Sequence, residues 1–162
     1  MLRDLKVVET GDFVLASGRR SNYFVNIKRA STDPRVLREM AKAVAPHVDD
    51  RKIAGMVLGA VPLAVAVALE TGMPYVMVRK SAKDHGVKDQ IEGDVESGDE
   101  FVVVEDVATT GGSTLRVVDA LRRKGATVRT AVVVVDREEG AADLLSENGI
   151  ELVSVFTAKD LT

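Results

Sequence analysis

Short apolar runs alternate along the chain with segments of helical periodicity. The apolar runs are typical of buried strands and lie at 53–58, 75–78, 101–104, 128–135 and 151–156. In the segments between them, apolar residues recur three or four positions apart, which predicts helices at 34–48, 62–71, 115–124 and 138–148. Strands alternating with helices favour an α/β fold, a parallel sheet flanked by helices on both faces.

Residues at the ends of these segments support the helix predictions. Asp33 followed by Pro34 is typical of a helix start, and Gly72, Gly125 and Gly149 each follow a predicted helix, where glycine is favoured. The helix at 62–71 is apolar nearly all round, so we expect it to be buried. A terminal turn is predicted at 158–161.

Two regions depart from this alternation. Residues 1–30 combine a predicted short helix at 2–8, a polar turn at 13–21 and a strand at 23–27, and we treat them as a small N-terminal hood. Residues 79–98 are polar without a clear period, which predicts a long loop with room for a short hairpin. A loop of this length in a compact domain is usually functional or mobile.

Composition narrows the class of protein. The 162 residues predict one domain with a single core, spanning 1–162. A net charge of −3 argues against a nucleic-acid partner. No apolar run reaches membrane-spanning length, and the absence of cysteine, which excludes disulfides and thiolate metal sites, agrees with a cytoplasmic location.

The stretch 101–114, FVVVEDVATTGGST, has a phosphate-binding layout. An apolar strand leads to Glu105 and Asp106, where we expect it to end, and small residues at 109–114 precede a helix. Glycines, hydroxyls and a helix N-terminus suit a phosphate, and the carboxylates suit ribose hydroxyls. The lysine of a nucleoside-triphosphate loop and the GxGxxG of a dinucleotide fold are both absent. A tight turn beside a solvated acidic pair remains the alternative.

A basic cluster follows the predicted strand at 75–78. It comprises Arg79, Lys80, Lys83, His85 and Lys88. Next to a phosphate site such a loop neutralises a phosphate-rich substrate, although charged runs are more often simply solvated. Because ligands of parallel sheets bind at the carboxyl ends of the strands, we expect residues that follow the strands to meet there, namely Gly59, Arg79, Glu105 and Arg137.

The segment EDVATTGGST at 105–114 resembles the 5-phosphoribosyl 1-diphosphate (PRPP) motif of the type I phosphoribosyltransferases. SGRRSNYF at 17–24, RKSAKDHG at 79–86 and DR at 136–137 narrow the resemblance to the orotate phosphoribosyltransferases. It covers nearly the whole chain. It implies a pentosyltransferase (EC 2.4.2.10) of de novo UMP biosynthesis that transfers phosphoribosyl from PRPP to orotate, giving orotidine 5′-monophosphate and pyrophosphate.

The resemblance also assigns roles to individual residues. Lys80, Lys83, His85 and Asp106 would be catalytic, with Lys80 acting in its own subunit. Residues that would contact PRPP are Arg79, Lys80, Lys83, His85, Glu105, Asp106, Val107, Ala108, Thr109, Thr110, Gly111, Gly112 and Ser113. Orotate would meet Thr109, Phe24 and Arg137. For Phe24 a place in the core, and for Arg137 an ion pair with Glu138 or Glu139, remain alternatives.

Further implications concern the metal and the assembly. The resemblance implies Mg²⁺ held mainly through the substrate, without a dedicated protein cage. It also implies a homodimer with shared active sites, in which Arg79, Lys83 and His85 of the flexible loop at 79–98 serve the neighbouring subunit. Residues 55–60 match the family's pyrophosphate loop, but some relatives have lysine in place of Gly59 and Ala16. A phosphoribosyltransferase for another base and a non-catalytic PRPP-sensing regulator remain alternatives.

Overall fold

A computed structural model describes residues 8–14, 18, 20–81 and 89–161. The strands are β1 (Val8–Val14), β2 (Arg20–Val25), β3 (Lys52–Met56), β4 (Tyr75–Val78), β5 (Ile91–Glu92), β6 (Glu100–Ala108), β7 (Thr127–Asp136) and β8 (Glu151–Thr157). The helices are α1 (Ile27–Ala30), α2 (Pro34–Val44), α3 (Val61–Thr71), α4 (Gly112–Arg123), α5 (Ala141–Glu147) and α6 (Ala158–Leu161).

The central sheet has the strand order β5-β4-β3-β6-β7-β8. Its strands are parallel except for β5, which pairs antiparallel with β4 at one edge. Strands β6 and β7, the two longest that the structure describes, pair from Glu100 opposite Thr127 to Ala108 opposite Asp136, with one register shift between Phe101 and Val102. A second, two-stranded sheet is the antiparallel β1–β2 hairpin.

Helices cover both faces of the central sheet. Alternate residues of β6 point to opposite faces, so Val104 packs with α2 and α3 while Val103 packs with α4 and α5. Both valines are fully buried, as expected for a sheet covered on both sides. The predicted α/β architecture, with a small N-terminal hairpin beside the sheet, is confirmed.

Several boundaries differ from those predicted. Strand β6 does not end at the acidic pair but continues to Ala108, because Val107 and Ala108 still pair with β7. Residue 27 begins a helix instead of ending a strand. The helix expected at 138–148 spans only Ala141–Glu147, and the terminal turn is the short helix α6. The helix predicted at 2–8 lies outside the described residues, apart from Val8 in β1.

Helix α3 is less buried than its composition predicts. Leu63, Ala64 and Val67 lie in the core, but Leu69 is 82% exposed. An apolar helix that packs on the sheet through one face leaves its other face in solvent. Over the residues that the structure describes, no helix is long and apolar enough to cross a membrane.

Candidate active site

An open cavity of about 600 Å³ lies at the carboxyl ends of β3 and β6. Strands, turns and α1 each contribute to its wall. Its lining residues are Phe24, Asn26, Ile27, Lys28, Met56, Val57, Leu58, Gly59, Ala60, Lys80, Glu105, Asp106, Val107, Thr109, Ser113 and Arg137. Three of the four predicted strand-end residues therefore meet there, and Arg79 is the exception.

The acidic pair forms the buried floor of this cavity. Glu105 and Asp106 are each only 7% exposed. The backbone N–H of Val107 donates a 2.9 Å hydrogen bond to Oδ1 of Asp106. Oε1 of Glu105 and Oδ2 of Asp106 are buried and accept no hydrogen bond from any described residue. Buried acceptors without a partner are uncommon, so these two oxygens are suited to a ligand that donates hydrogen bonds.

Burial also changes the acidity of both carboxyls. The pKa of Glu105 is raised from 4.5 to about 8, first by burial and then by repulsion from Asp106, while the positive charge of Lys28 opposes the change. Burial raises the pKa of Asp106 as well, partly offset by the hydrogen bond from Val107 and by Lys28. The negative charge of Asp106 therefore favours the protonated form of Glu105.

The glycine-rich turn joins β6 to α4. Gly111 is the N-cap of α4 with a φ of 86°, and a Cβ there would lie 3.2 Å from Cα of Ala141. Gly112 begins the helix, and a Cβ there would meet only Oγ1 of Thr110, at 3.9 Å. Gly111 is therefore required by the fold, whereas Gly112 leaves open space at a helix N-terminus, where anions bind.

The other predicted residues of this turn divide into two groups. Thr109 and Ser113 line the cavity. Ala108 is buried against Val133 and Ala141, so its side chain lies in the core, and Thr110 is exposed outside the cavity wall.

The two described residues of the basic cluster point in different directions. Lys80 lines the cavity. The Arg79 guanidinium instead pairs with Glu92 of β5, at 2.7 Å. Lys83, His85 and Lys88 lie outside the described residues, so their predicted roles stay predictions.

Phe24 and Arg137, the two side chains predicted to meet a base, both line the cavity. Phe24 is 37% exposed and packs against Phe13, with 5.7 Å between ring centroids, so it is not a core aromatic. Arg137 follows β7, lines the cavity and forms an ion pair with Glu139. A partly exposed ring and a guanidinium that line one cavity suit a planar ligand that carries a carboxylate.

Comparison with known proteins agrees with this geometry. Residues 30–150 match the family model described as the phosphoribosyl transferase domain. The chain is 53% identical over 160 residues to orotate phosphoribosyltransferase of Natronomonas pharaonis, covering 99% of this chain and 92% of that protein. The chain belongs to the orotate phosphoribosyltransferases.

Solved structures of orotate phosphoribosyltransferases share the fold of this one. The Aeropyrum pernix enzyme superposes with a TM-score of 0.88 at 39% identity, covering 99% of this chain and 93% of that one. The Mycobacterium tuberculosis enzyme in complex with PRPP superposes with a TM-score of 0.80 at 33% identity, covering 99% and 93%. The predicted family is confirmed.

One residue of this orotate phosphoribosyltransferase site was missed by sequence reasoning. Lys28 of α1 lines the cavity and acts electrostatically on both carboxyls. A signal for it existed, because Lys28 directly follows the strand predicted at 23–27. The criterion that selected Arg79 and Arg137 at strand ends would have selected it too.

The carboxylate oxygens of this site also fit a magnesium ion that is held mainly through a bound substrate. Mg²⁺ prefers oxygen donors and keeps several waters, and the two unpaired carboxylate oxygens can accept from such waters or from ribose hydroxyls. Within the described ranges, no cluster of three or more His, Cys, Asp or Glu side chains could hold a metal ion.

Proposed function

We propose that this protein transfers the 5-phosphoribosyl group of PRPP to orotate. N1 of orotate bonds to the anomeric carbon as the bond from that carbon to pyrophosphate breaks, and the proton of N1 is released to solvent or to the departing pyrophosphate. The products are orotidine 5′-monophosphate and pyrophosphate, as in de novo UMP synthesis. The strongest support is the joining, in one cavity, of buried unpaired carboxylate oxygens to a glycine-rich helix N-terminus.

The ribose phosphate would occupy the end of the cavity formed by β6 and α4. Oε1 of Glu105 and Oδ2 of Asp106 would accept hydrogen bonds from the ribose hydroxyls, which would satisfy two otherwise unpaired acceptors. Thr109, Ser113 and the free N–H groups of the first turn of α4 would hold the 5′-phosphate.

Orotate would lie towards Phe24 and Arg137. The ring of Phe24 would stack on the pyrimidine, and the Arg137 guanidinium would pair with the orotate carboxylate. A neutral purine offers no carboxylate to this arginine, which is the reason for placing orotate ahead of other bases.

Catalysis would then consist mainly of positioning and charge stabilisation. The ribosyl centre becomes cationic as the leaving group departs, and negative charge accumulates on pyrophosphate. Lys80, which lines the cavity, would stabilise that charge together with the partner subunit's Lys83 and His85. When bound, Mg²⁺ would neutralise part of the pyrophosphate charge.

A two-fold homodimer in the cytoplasm completes the proposal. Arg79 and Lys80 are adjacent, yet only Lys80 lines the cavity of its own chain. Exposed apolar side chains such as Leu69, at 82%, and Val14, at 71%, suit an interface between subunits. Closed two-fold pairs are the commonest arrangement among soluble oligomers.

A pyrophosphate-release assay tests the proposal. We expect release only when PRPP, orotate and Mg²⁺ are all present, and loss of release when EDTA removes the metal. Pyrophosphate and orotidine 5′-monophosphate should form in equal amounts. Orotate-dependent release at an unchanged rate in EDTA would contradict the metal requirement, and the absence of release under all conditions would contradict the transfer itself.

A further inference from the structure

Lys28 presents an ammonium group to the cavity from a well-anchored position. Its neighbours Ile27 and Ala30 are buried in the core, and the Asn26 side chain caps α1 by accepting from the N–H of Arg29. Lys28 itself is exposed and lines the cavity. No carboxylate of the described residues forms an ion pair with Lys28, although its positive charge acts to lower the pKa of both Glu105 and Asp106.

The Lys28 side chain lies over Gly59, in the turn between β3 and α3. A Cβ added to Gly59 would lie 3.3 Å from Cε and 3.7 Å from Nζ of Lys28, and 3.9 Å from Oδ2 of Asp106. Gly59 is not among the glycines with positive φ, so its backbone conformation does not require glycine. The space that a side chain at residue 59 would enter is the space that the lysine fills.

We propose that Lys28 is a substrate-contacting residue that supplies the cation at the turn containing Gly59. It would bind the anionic oxygens of the phosphoribosyl donor, and glycine at 59 keeps the space for it. The inference rests on the proposed function and adds to it a residue and a pairing. A cation that faces an open cavity without an ion-pair partner is available to a phosphate, whereas one paired with a carboxylate is not.

The contact between Lys28 and Gly59 predicts that a lysine at either residue can place its ammonium group in the same space. In Gly59→Lys two ammonium groups would compete for one place, so PRPP binding should weaken. In Lys28→Met the apolar stem remains but the charge is lost, so PRPP binding should weaken as well. The double variant restores one cation to the same space and should bind PRPP better than either single variant.

Calorimetric titration with PRPP and Mg²⁺ measures this directly. Loss of a charge-assisted contact should raise the PRPP Kd of Lys28→Met by about 10- to 100-fold, and Lys28→Arg should recover most of it. The double variant should bind at least about tenfold more tightly than Lys28→Met. Lys42→Met is the matched control, since that lysine is on α2 and pairs with Glu39 at 3.0 Å; its Kd should not change.

Two results would overturn the inference. One is a PRPP Kd for Lys28→Met within about twofold of the parent, since a substrate contact of this kind is worth more. The other is a double variant no better than Lys28→Met, with thermal melting showing that both are folded. If Gly59→Lys fails to fold, the PRPP Kd values of Lys28→Met and Lys28→Arg still show whether Lys28 contacts PRPP. Failure of the transfer itself is separate, because it would appear as missing pyrophosphate release in the parent.

Discussion

Arg137 and Glu139 form an ion pair at the end of β7, with 3.2 Å between Nε and Oε1. Both side chains are mostly buried, at 16% and 18% exposure. The pair uses Nε, and neither terminal nitrogen of Arg137 donates a hydrogen bond within the described part of the chain. Glu139 therefore holds the guanidinium in place without occupying its terminal edge.

Replacing Arg137 should affect orotate far more than PRPP. Arg137→Ala would remove the proposed bidentate, charge-assisted contact with orotate, worth about 1.5–3 kcal/mol, so the KM for orotate should rise about 10- to 100-fold. The KM for PRPP should change little. Steady-state kinetics with each substrate varied in turn measures both values.

Arg129→Ala is the matched control for this variant. Arg129 lies on the same strand near its other end and pairs with Glu100 on the surface, at 3.3 Å. Both KM values should match those of the parent. An equal rise in the two KM values of Arg137→Ala would show that Arg137 does not contact orotate.

The buried Glu105 should make the ligand-free protein less stable as pH rises. The folded protein keeps a proton on Glu105 up to about pH 8, whereas the unfolded chain loses it near 4.5. Between these values folding takes up a proton, so stability falls with rising pH, by up to about 1.4 kcal/mol per pH unit. Glu105→Gln should remove this contribution.

Denaturant unfolding of the parent and Glu105→Gln across this pH window provides the measurement. The variant should gain stability relative to the parent as pH increases. Parallel stability curves would mean that Glu105 titrates normally in the folded protein, contrary to its burial.

The two glycines of the turn before α4 should respond differently to alanine. Gly111→Ala places a Cβ in a left-handed conformation and against the Ala141 backbone, costing at least about 1–2 kcal/mol of stability. Gly112→Ala should keep or raise stability, by up to about 1 kcal/mol, because alanine favours a helix.

PRPP affinity should separate the same two variants. A methyl group at residue 112 would enter the space left for the phosphate, so the Kd of Gly112→Ala should rise several-fold while its melting temperature holds. Unchanged PRPP binding by Gly112→Ala would place the phosphate elsewhere.

The sequence pattern predicted the fold well where a local signal decides the structure. Residues 75–78 form a strand with the predicted limits, and α3 ends before Gly72, which has a φ of 74°. The start of α5 was predicted too early because Glu138 and Gly140 have φ values of 57° and 107°, which no α-helix contains. Periodicity does not reveal such a local backbone turn.

The candidate site was predicted only in part, for a related reason. Glu105 and Asp106 were found because their strand and turn are continuous in sequence. Lys28 follows a predicted strand but belongs to none of the sequence motifs, and its place beside the cavity depends on Ile27 packing into a core formed by distant elements. The division into a hood at 1–30 and a catalytic loop at 79–98, and the roles of Lys83 and His85, stay predictions.

Mixed dimers should show whether the sites are shared. Lys83→Ala and the double variant Glu105→Gln/Asp106→Asn should each be nearly inactive. If Lys83 serves the neighbouring subunit, a heterodimer of the two contains one undamaged site, so re-associated mixtures should regain activity. Activity equal to the sum of the parents, with subunit exchange confirmed by mass, would mean that Lys83 acts in its own subunit.

The most direct test of the proposed function is a comparison of bases under one set of conditions. Initial rates of pyrophosphate release would be measured with PRPP, Mg²⁺ and, in turn, orotate, uracil, adenine, guanine and hypoxanthine. We predict the highest kcat/KM for orotate, with uracil much lower because it lacks the carboxylate that Arg137 would bind. A higher kcat/KM for a purine or for uracil would contradict the assignment of orotate as the substrate.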